Sequence, residues 1–114
     1  LYIRQSAEEN GVCRRRFEVN VRAFNEYRVV DCGFLYGKNM AETDLVPERV
    51  GTTNAQGYAV KRMPAACTPG RKVLLYGFSS ATGQVSARFY ITYTNGVMTK
   101  TYLSEVCTYD YDEA

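Results

Sequence analysis

The stretch from residue 71 to residue 107 constrains the fold most strongly, because it predicts three consecutive β-strands that end on a cysteine. The first two strands cover 72–78 and 84–93, with a turn at 79–83. Asn95-Gly96 is a strong hairpin signal before the third strand. The C-terminal half of the chain is therefore predicted to be an antiparallel sheet.

The register of this hairpin can be predicted from its side chains, because a one-residue slip turns every side chain to the other face. A three-residue loop, with Gly96 left-handed in a bulge, pairs Tyr93 with Val97 and Ile91 with Thr99. The same register pairs Phe89 with Thr101 and Ala87 with Leu103, which keeps apolar and β-branched residues together. The opposite face then carries Arg88, Tyr90, Lys100 and Tyr102.

The segment 14–28 fits two kinds of secondary structure. Phe17, Val21 and Phe24 share one helical face, whereas Phe17, Val19 and Val21 alternate as in a strand. We favour a helix over 15–27, followed by a buried strand at 29–36, a long loop at 38–57 and a strand at 58–63. The predicted fold class is α+β, with one helix packed on a twisted antiparallel β-sheet.

Length and cysteine count place further limits on the chain. A chain of 114 residues makes one domain over 1–114, with an N-terminal arm at 1–12 and an acidic tail at 108–114. No apolar run reaches the length of about 20 residues that spans a bilayer, so no membrane partner is expected. The four cysteines form no CxxC pair, which favours two disulfides and an oxidising, secretory route over zinc. The alternative to disulfides is four buried free thiols in a cytosolic protein. Three disulfide connectivities remain open.

Charge is unevenly distributed along the sequence. The stretch 49–104, called here the basic stretch, has seven Lys and Arg residues and no Asp or Glu, while the rest has seven basic and twelve acidic residues. A sheet with this bias can attract a polyanion such as RNA. Alternatively, the acidic N-terminal part and the tail fold over the basic face.

Several catalytic chemistries are excluded by composition. The chain has no histidine, so Ser-His-Asp and Cys-His arrangements are absent, and it has no phosphate-binding glycine loop. Among carboxylates, Asp31, Glu42, Asp44, Glu48 and Glu105 have spacings that fix no catalytic pair. No cofactor and no metal site are predicted. Candidates for RNA or anion binding are Lys61, Arg62, Arg71, Lys72, Arg88, Tyr90, Tyr93 and Lys100.

Tyrosines interleave with these cations, at positions 58, 76, 90, 93 and 102. Such an arrangement can stack nucleic-acid bases, although cross-strand tyrosines also serve as ordinary sheet packing. The run at 14–16 is a similar case, since three arginines can contact phosphates or simply form a solvated charged face.

Part of the chain resembles the secreted RNase-like effectors of plant-pathogenic fungi, which are related in fold to guanyl-specific fungal ribonucleases and ribotoxins. The matching features are Cys13 four residues before Phe17, the strand at 72–76, and a strand at 84–94 leading to Cys107. The resemblance implies a ribonuclease-like fold with disulfides Cys13–Cys107 and Cys32–Cys67.

The resemblance also implies that the catalyst is missing. Active members of the family carry a glutamate, an arginine and a histidine on successive strands. Here 58–63 has no acid, Arg71 or Lys72 stands for the arginine, and Tyr93 stands for the histidine. A tyrosine with a pKa near 10 is a poor base at neutral pH, so we expect no efficient enzyme.

The function expected on these grounds is that of a secreted, non-enzymatic fungal effector of the virulence or avirulence type. Such a pseudoenzyme binds a host protein, can be translocated into host cells, and can be recognised by a host immune receptor. Binding is expected through the loops 38–57, 79–83 and 94–96, since loops on a stable scaffold carry such surfaces. The alternative is an RNA-binding protein, or a weakly active ribonuclease or toxin. The oligomeric state is left open.

Overall fold

Strands with alternating burial account for most of the chain that the computed structural model describes, which comprises residues 3–6, 14–22, 27–77 and 82–112. The strands of these residues are β1 Ile3–Ser6, β2 Arg14–Val21, β3 Arg28–Lys38, β4 Lys61–Pro64, β5 Gly70–Gly77, β6 Gln84–Thr94, β7 Thr99–Leu103 and β8 Cys107–Asp110. Two short 3₁₀ helices, Glu42–Asp44 and Pro47–Arg49, lie between β3 and β4.

The strands form two antiparallel sheets. Sheet A has the order β1-β2-β5, and sheet B has the order β4-β3-β6-β7, with β8 also paired to β6. β7 pairs with the C-terminal half of β6 and β8 with its N-terminal half. This is the order in which immunoglobulin-type sandwiches pair strands A-B-E and C′-C-F-G. Strand order by itself assigns no function.

The main core lies between the two sheets. Sheet A contributes Phe17 and Leu74, and sheet B contributes Phe34 and Phe89, all at most 1% exposed. The rings of Phe34 and Phe89 meet edge to face with their centroids 4.9 Å apart. A side chain of this size contributes about 1.5–3 kcal/mol when it is fully buried, so this layer holds the sheets together.

A second, smaller core covers the outer face of sheet B. Leu35 and Tyr90 point outward from this sheet and pack against Met40, Leu45 and Val60 of the β3–β4 connection. The connection is therefore a fixed layer on the sheet rather than a solvated loop. Its buried apolar residues explain how a segment with so little regular structure stays in place.

The predicted helix over 15–27, and with it the α+β, ribonuclease-like fold class, is wrong. Residues 14–21 form β2, whose Phe17, Val19 and Val21 are buried while Asn20 is exposed. The strand has a partner on each side, β1 and β5, and this non-local pairing decides between two patterns that the local sequence fits equally. No α-helix occurs in the described ranges, so nothing there packs a helix on a sheet.

The predicted Cys32–Cys67 disulfide is also wrong, because both residues are free thiols. The Cys32 thiol instead donates to the carbonyl oxygens of Ala65 and Ala66, at 3.6 Å and 3.4 Å. The predicted Cys13–Cys107 bridge involves Cys13, which lies outside the described residues.

The three-residue hairpin loop is wrong as well. The observed register pairs Thr94 with Thr99 and Tyr93 with Lys100, which leaves a four-residue loop at 95–98. The side-chain oxygen of Asn95 accepts from the amides of Val97 and Met98, at 2.9 Å and 2.8 Å. These two bonds hold the longer loop closed, with Gly96 left-handed at φ 92°.

The predicted arm and tail both contain a strand. β1 lies in the arm and pairs with β2, and its Ile3 is buried in the main core. In the tail, Tyr109 packs against the same core, and the Asp112 carboxylate accepts from the Gly83 amide at 3.0 Å. The two chain ends are therefore joined to the sandwich at these points.

Candidate functional site

A cavity of about 260 Å³ opens between the sheets, at the end where β2 finishes and β3 begins. Val21 and Arg22 line it from sheet A, and Ile91 lines it from sheet B. Thr68 and Pro69, from the connection before β5, close another side. We call residues 21–22, 27–32, 67–70, 72 and 91–102 the open end of the sandwich, which leaves out the outward-facing Arg71.

Two thiols, Cys32 and Cys67, also line the cavity. Burial and, to a smaller extent, the neighbouring Cys67 thiol raise the pKa of the Cys32 thiol to about 11, and the charge of Lys72 opposes part of that rise. Cys32 is therefore a protonated hydrogen-bond donor at neutral pH and a poor nucleophile. In the cavity, the Cys32 side chain serves as a small, weakly polar lining group.

Positive charge surrounds the cavity. Arg22 and Arg28 line it, and both are exposed and form no ion pair with a described residue. Lys72 lies beside it, where its ammonium group donates to the Thr68 hydroxyl at 3.2 Å. The one described carboxylate at this end is Asp31, which pairs with an arginine on the outer face of sheet B. The open end therefore attracts negatively charged groups.

Large exposed apolar side chains occur at the same end of the sandwich, and we call Tyr27, which lines the cavity, and Val30, Val97, Met98 and Tyr102 the apolar rim. Val97 and Met98 at the hairpin tip are 90% and 52% exposed. Tyr27 is 42% exposed and meets Tyr93 edge to face, with ring centroids 5.1 Å apart. Clustered exposed apolar residues bordered by charge are typical of interaction surfaces.

Arg88, one of the predicted anion-binding residues, is instead buried beneath the β3–β4 connection. Its Nε donates to the Ser104 carbonyl at 2.8 Å, and its Nη1 donates to the Leu45 carbonyl at 3.2 Å. Its Nη2 pairs with the Glu42 carboxylate at 3.0 Å. With its guanidinium occupied in this way, Arg88 holds structure and cannot reach a ligand.

Arg62 and Tyr90 meet Asp31 on the outer face of sheet B. The Tyr90 hydroxyl donates to one Asp31 oxygen at 3.1 Å, and Arg62 donates to the other at 2.9 Å and to the Tyr90 hydroxyl. Burial raises the pKa of Tyr90, so the phenol stays protonated. The three groups bind one another, so the charge of Arg62 is paired with Asp31 rather than left for a ligand.

The residues matched to ribonuclease catalytic groups do not converge. Arg71 lies on the outward face of sheet A, paired with Glu18 at 2.9 Å. Tyr93 and Lys72 lie at the open end instead, on the inner faces of opposite sheets. Lys61 is at a third place, on the flank of the sandwich, with its ammonium 5.8 Å from the Tyr76 ring centroid.

Ion pairs neutralise much of the basic stretch. Each of its four arginines pairs with an acid from the N-terminal part of the chain: Arg49 with Asp44, Arg62 with Asp31, Arg71 with Glu18 and Arg88 with Glu42. The lysines of the stretch, at 61, 72 and 100, form no ion pair with described residues. The sequence leaves two alternatives for the basic stretch, a surface for polyanions or a face covered by acidic segments. The structure shows N-terminal acids paired with the arginines of this stretch. The tail acids bind Gln84 and Gly83 instead.

The three loops expected to bind a partner do not form one surface. Most of the loop 38–57 packs on the outer face of sheet B. Residues 82–83 of the loop 79–83 lie at the end opposite the cavity, where the Gln84 amide donates to the Asn39 side chain, and residues 79–81 lie outside the described residues. Residues 94–96 lie at the open end. Sequence reasoning missed Arg22, Arg28 and Tyr27 as site residues, because the pairing that brings β2, β3 and the hairpin tip together is non-local.

No cluster of three or more potential metal ligands occurs among the described side chains. None of the helices within the described ranges is both long and apolar enough to cross a membrane. Comparisons of the chain with protein-family models, curated proteins and solved structures found no match.

Proposed function

We propose that this protein is a non-enzymatic binding protein, and that its open end binds an acidic segment of a partner protein through an apolar anchor side chain. The observation that carries the proposal is the cavity, which combines apolar walls with the exposed guanidinium groups of Arg22 and Arg28. A pocket with apolar walls takes one large side chain, and its cations select acidic residues beside that side chain.

The size of the cavity supports a side chain rather than a large metabolite. At about 260 Å³ it lies below the usual range of about 300–1,000 Å³ for pockets that enclose drug-sized ligands. The apolar rim enlarges the contact area around it, with Val97 and Tyr102 on the hairpin. Anchors that fill such pockets supply most of the affinity in many interfaces.

The proposal concerns binding alone and is narrower than an effector role. That role was inferred from a resemblance whose ribonuclease-like scaffold the structure corrects. A host protein or an immune receptor, as the resemblance implies, is one kind of partner that fits. RNA is less favoured as a ligand, because the four arginines of the basic stretch already hold carboxylates.

A random peptide library displayed on phage tests this proposal without a known partner. Selection on the immobilised protein should enrich peptides in which a large apolar residue has acidic neighbours. Their affinity should fall about tenfold or more for the Arg22→Glu/Arg28→Glu variant, because like charges then face each other. Thr68→Trp, which fills the cavity, should have a similar effect.

Lys61→Glu provides the matched control, since it reverses a charge on the flank away from the cavity. It should leave the affinity of the selected peptides unchanged. Selected peptides that bind the cavity variants as well as the parent, or that show no acidic preference, would contradict the proposed site.

A further inference from the structure

β5 has one unpaired edge among the described residues. It pairs with β2 along its whole length, from Gly70 opposite Val21 to Gly77 opposite Arg14, and it is the last strand of sheet A. Eight residues make an edge of about 26 Å, along which every second residue turns its backbone N–H and C=O outward. Such an edge is a template for pairing with another strand.

β5 lacks the features that usually protect an edge strand. Natural sheets use charges, proline, bulges or very short strands for this purpose. β4, an edge of sheet B, has them, with four residues that include Lys61, Arg62 and Pro64. By contrast, 73–77 of β5 has no charge and no proline, and its register with β2 has no bulge.

The outward face of β5 is also apolar at its centre. Val73 and Leu75 point outward and are 39% and 46% exposed. Leu74 and Tyr76, which alternate with them along the strand, point inward and are buried. The nearest cation on the outward face is Arg71, whose Nε and Nη2 both donate to the Glu18 carboxylate at 2.9 Å. The ion pair removes the net charge that would otherwise repel another strand.

We propose that β5 pairs antiparallel with β5 of a second copy of this chain, about a two-fold axis at Leu74, so that two A sheets join into one six-stranded sheet. This inference is independent of the function proposed for the open end. A two-fold axis is the commonest symmetry of soluble homo-oligomers, and it requires a surface that is complementary to itself.

The sequence of β5 meets that requirement best with the axis at Leu74, because an axis at Val73 sets Arg71 and Lys72 opposite the apolar Leu75 and Leu74. Strands can pair only so that inward residues face inward residues, which limits the shift to steps of two. With Leu74 opposite its own copy, Val73 lies opposite Leu75, Lys72 opposite Tyr76 and Arg71 opposite Gly77. Both cations then face uncharged residues, and the exposed apolar residues face each other. Shifting the axis to Arg71 or Lys72 sets like charges directly opposite, which is destabilising.

Sedimentation velocity over a concentration series tests the proposal. Because two joined edges make a small interface, we expect a reversible dimer with a dissociation constant on the order of 10–100 µM. Val73→Lys should shift the protein to a monomer, since it places a charge against the apolar centre of the opposite strand. Val97→Lys, the same substitution at a more exposed site on the hairpin tip, should leave the dimer unchanged.

Hydrogen exchange supplies a second measurement that does not depend on a variant. Alternate amides of β5 should become more protected as concentration rises, while those of β7 should not. A protein that is monomeric throughout the series would overturn the proposal, as would a dimer that Val73→Lys leaves intact. If Val73→Lys alters the circular dichroism spectrum, Leu75→Lys on the same face takes its place.

Discussion

The guanidinium of Arg88 joins the β3–β4 connection to sheet B. It binds carbonyl oxygens of Ser104 and Leu45 on either side of itself, and its side chain is only 7% exposed. Its carboxylate partner Glu42 is 76% exposed, so solvent screens that ion pair. The hydrogen bonds to the carbonyls, rather than the ion pair, should therefore supply most of the stabilisation.

Replacing Arg88 tests this division. Arg88→Met should lower the free energy of unfolding by about 2–4 kcal/mol, because it leaves buried carbonyls without donors. Glu42→Gln should cost less than about 1 kcal/mol, since it removes only a screened charge. Urea denaturation of both variants gives the comparison, and equal losses would show that the ion pair dominates.

The two cavity thiols should differ in reactivity. With a pKa of about 11 instead of 9.0, Cys32 carries about 100-fold less thiolate at mildly alkaline pH than an ordinary thiol. Iodoacetamide should therefore modify the exposed Cys67 well before Cys32, as followed by peptide mass spectrometry. Simultaneous modification, or none without a reductant, would contradict the structure of this site.

The same thiol gives stability a pH dependence of known sign. The pKa of Cys32 is raised in the folded state, so its contribution to stability is fully present below the ordinary thiol pKa of 9.0. It is lost as the pH rises towards about 11. Cys32→Ala should flatten the alkaline part of a plot of unfolding free energy against pH. An unchanged slope would show that other groups cause the loss of stability at alkaline pH.

At the scale of elements, the sequence predicted the strands whose signal is local. The apolar run of β3, the alternation of β5 and β6 and the Asn95-Gly96 turn are all readable without tertiary contacts. β2 is different, because Phe17, Val19 and Val21 satisfy a strand while Phe17 and Val21 also satisfy a helix. Pairing with β5, whose residues lie 49 to 63 positions further along the chain, decides the case.

The site was less predictable than the strands. Arg22 and Arg28 carry no motif, and they become neighbours of one cavity only once β2 and β3 lie in facing sheets. Conversely, the sequence predicts Arg88 to be an exposed, anion-binding cation on a strand, whereas in the structure it is buried. Its burial depends on a connection whose apolar residues, such as Leu45, have no regular periodicity.

The hairpin loop provides a test at this scale. Asn95→Ala should lower the free energy of unfolding by about 0.5–1.5 kcal/mol, because two amides lose the acceptor that closes the loop. Asn95→Asp keeps that acceptor and should remain close to the parent. A nuclear Overhauser contact between Thr92 and Thr101, whose hydroxyls lie 2.9 Å apart, would verify the register, and its absence would refute it.

At the scale of the whole molecule, ion pairing decides what the uneven charge can do. The lysines left without ion pairs lie apart, with Lys61 on the flank and Lys72 and Lys100 at the open end. Few of them can contact one RNA strand together. With Arg22 and Arg28 beside Lys72 and Lys100 at the open end, we expect a slope of log affinity against log salt no steeper than about −3 for a single strand.

Fluorescence anisotropy of labelled single-stranded RNA over a salt series measures this slope, and a gel of the same samples records cleavage. Asp31→Asn frees Arg62 and should steepen the slope by about 0.7. A slope near −4 or below in the parent protein, or cleavage abolished by Tyr93→Phe or Lys72→Ala, would restore the nucleic-acid hypothesis.

β1 lies against β8, so strands from near the two ends of the chain are neighbours in space. A ribosome delivers β1 before β8, and Ile3 cannot be fully covered until β8 has emerged. The nascent chain therefore carries uncovered apolar strands for most of its synthesis, a state that is prone to aggregation. Dependence on chaperones during translation is the cost of this arrangement.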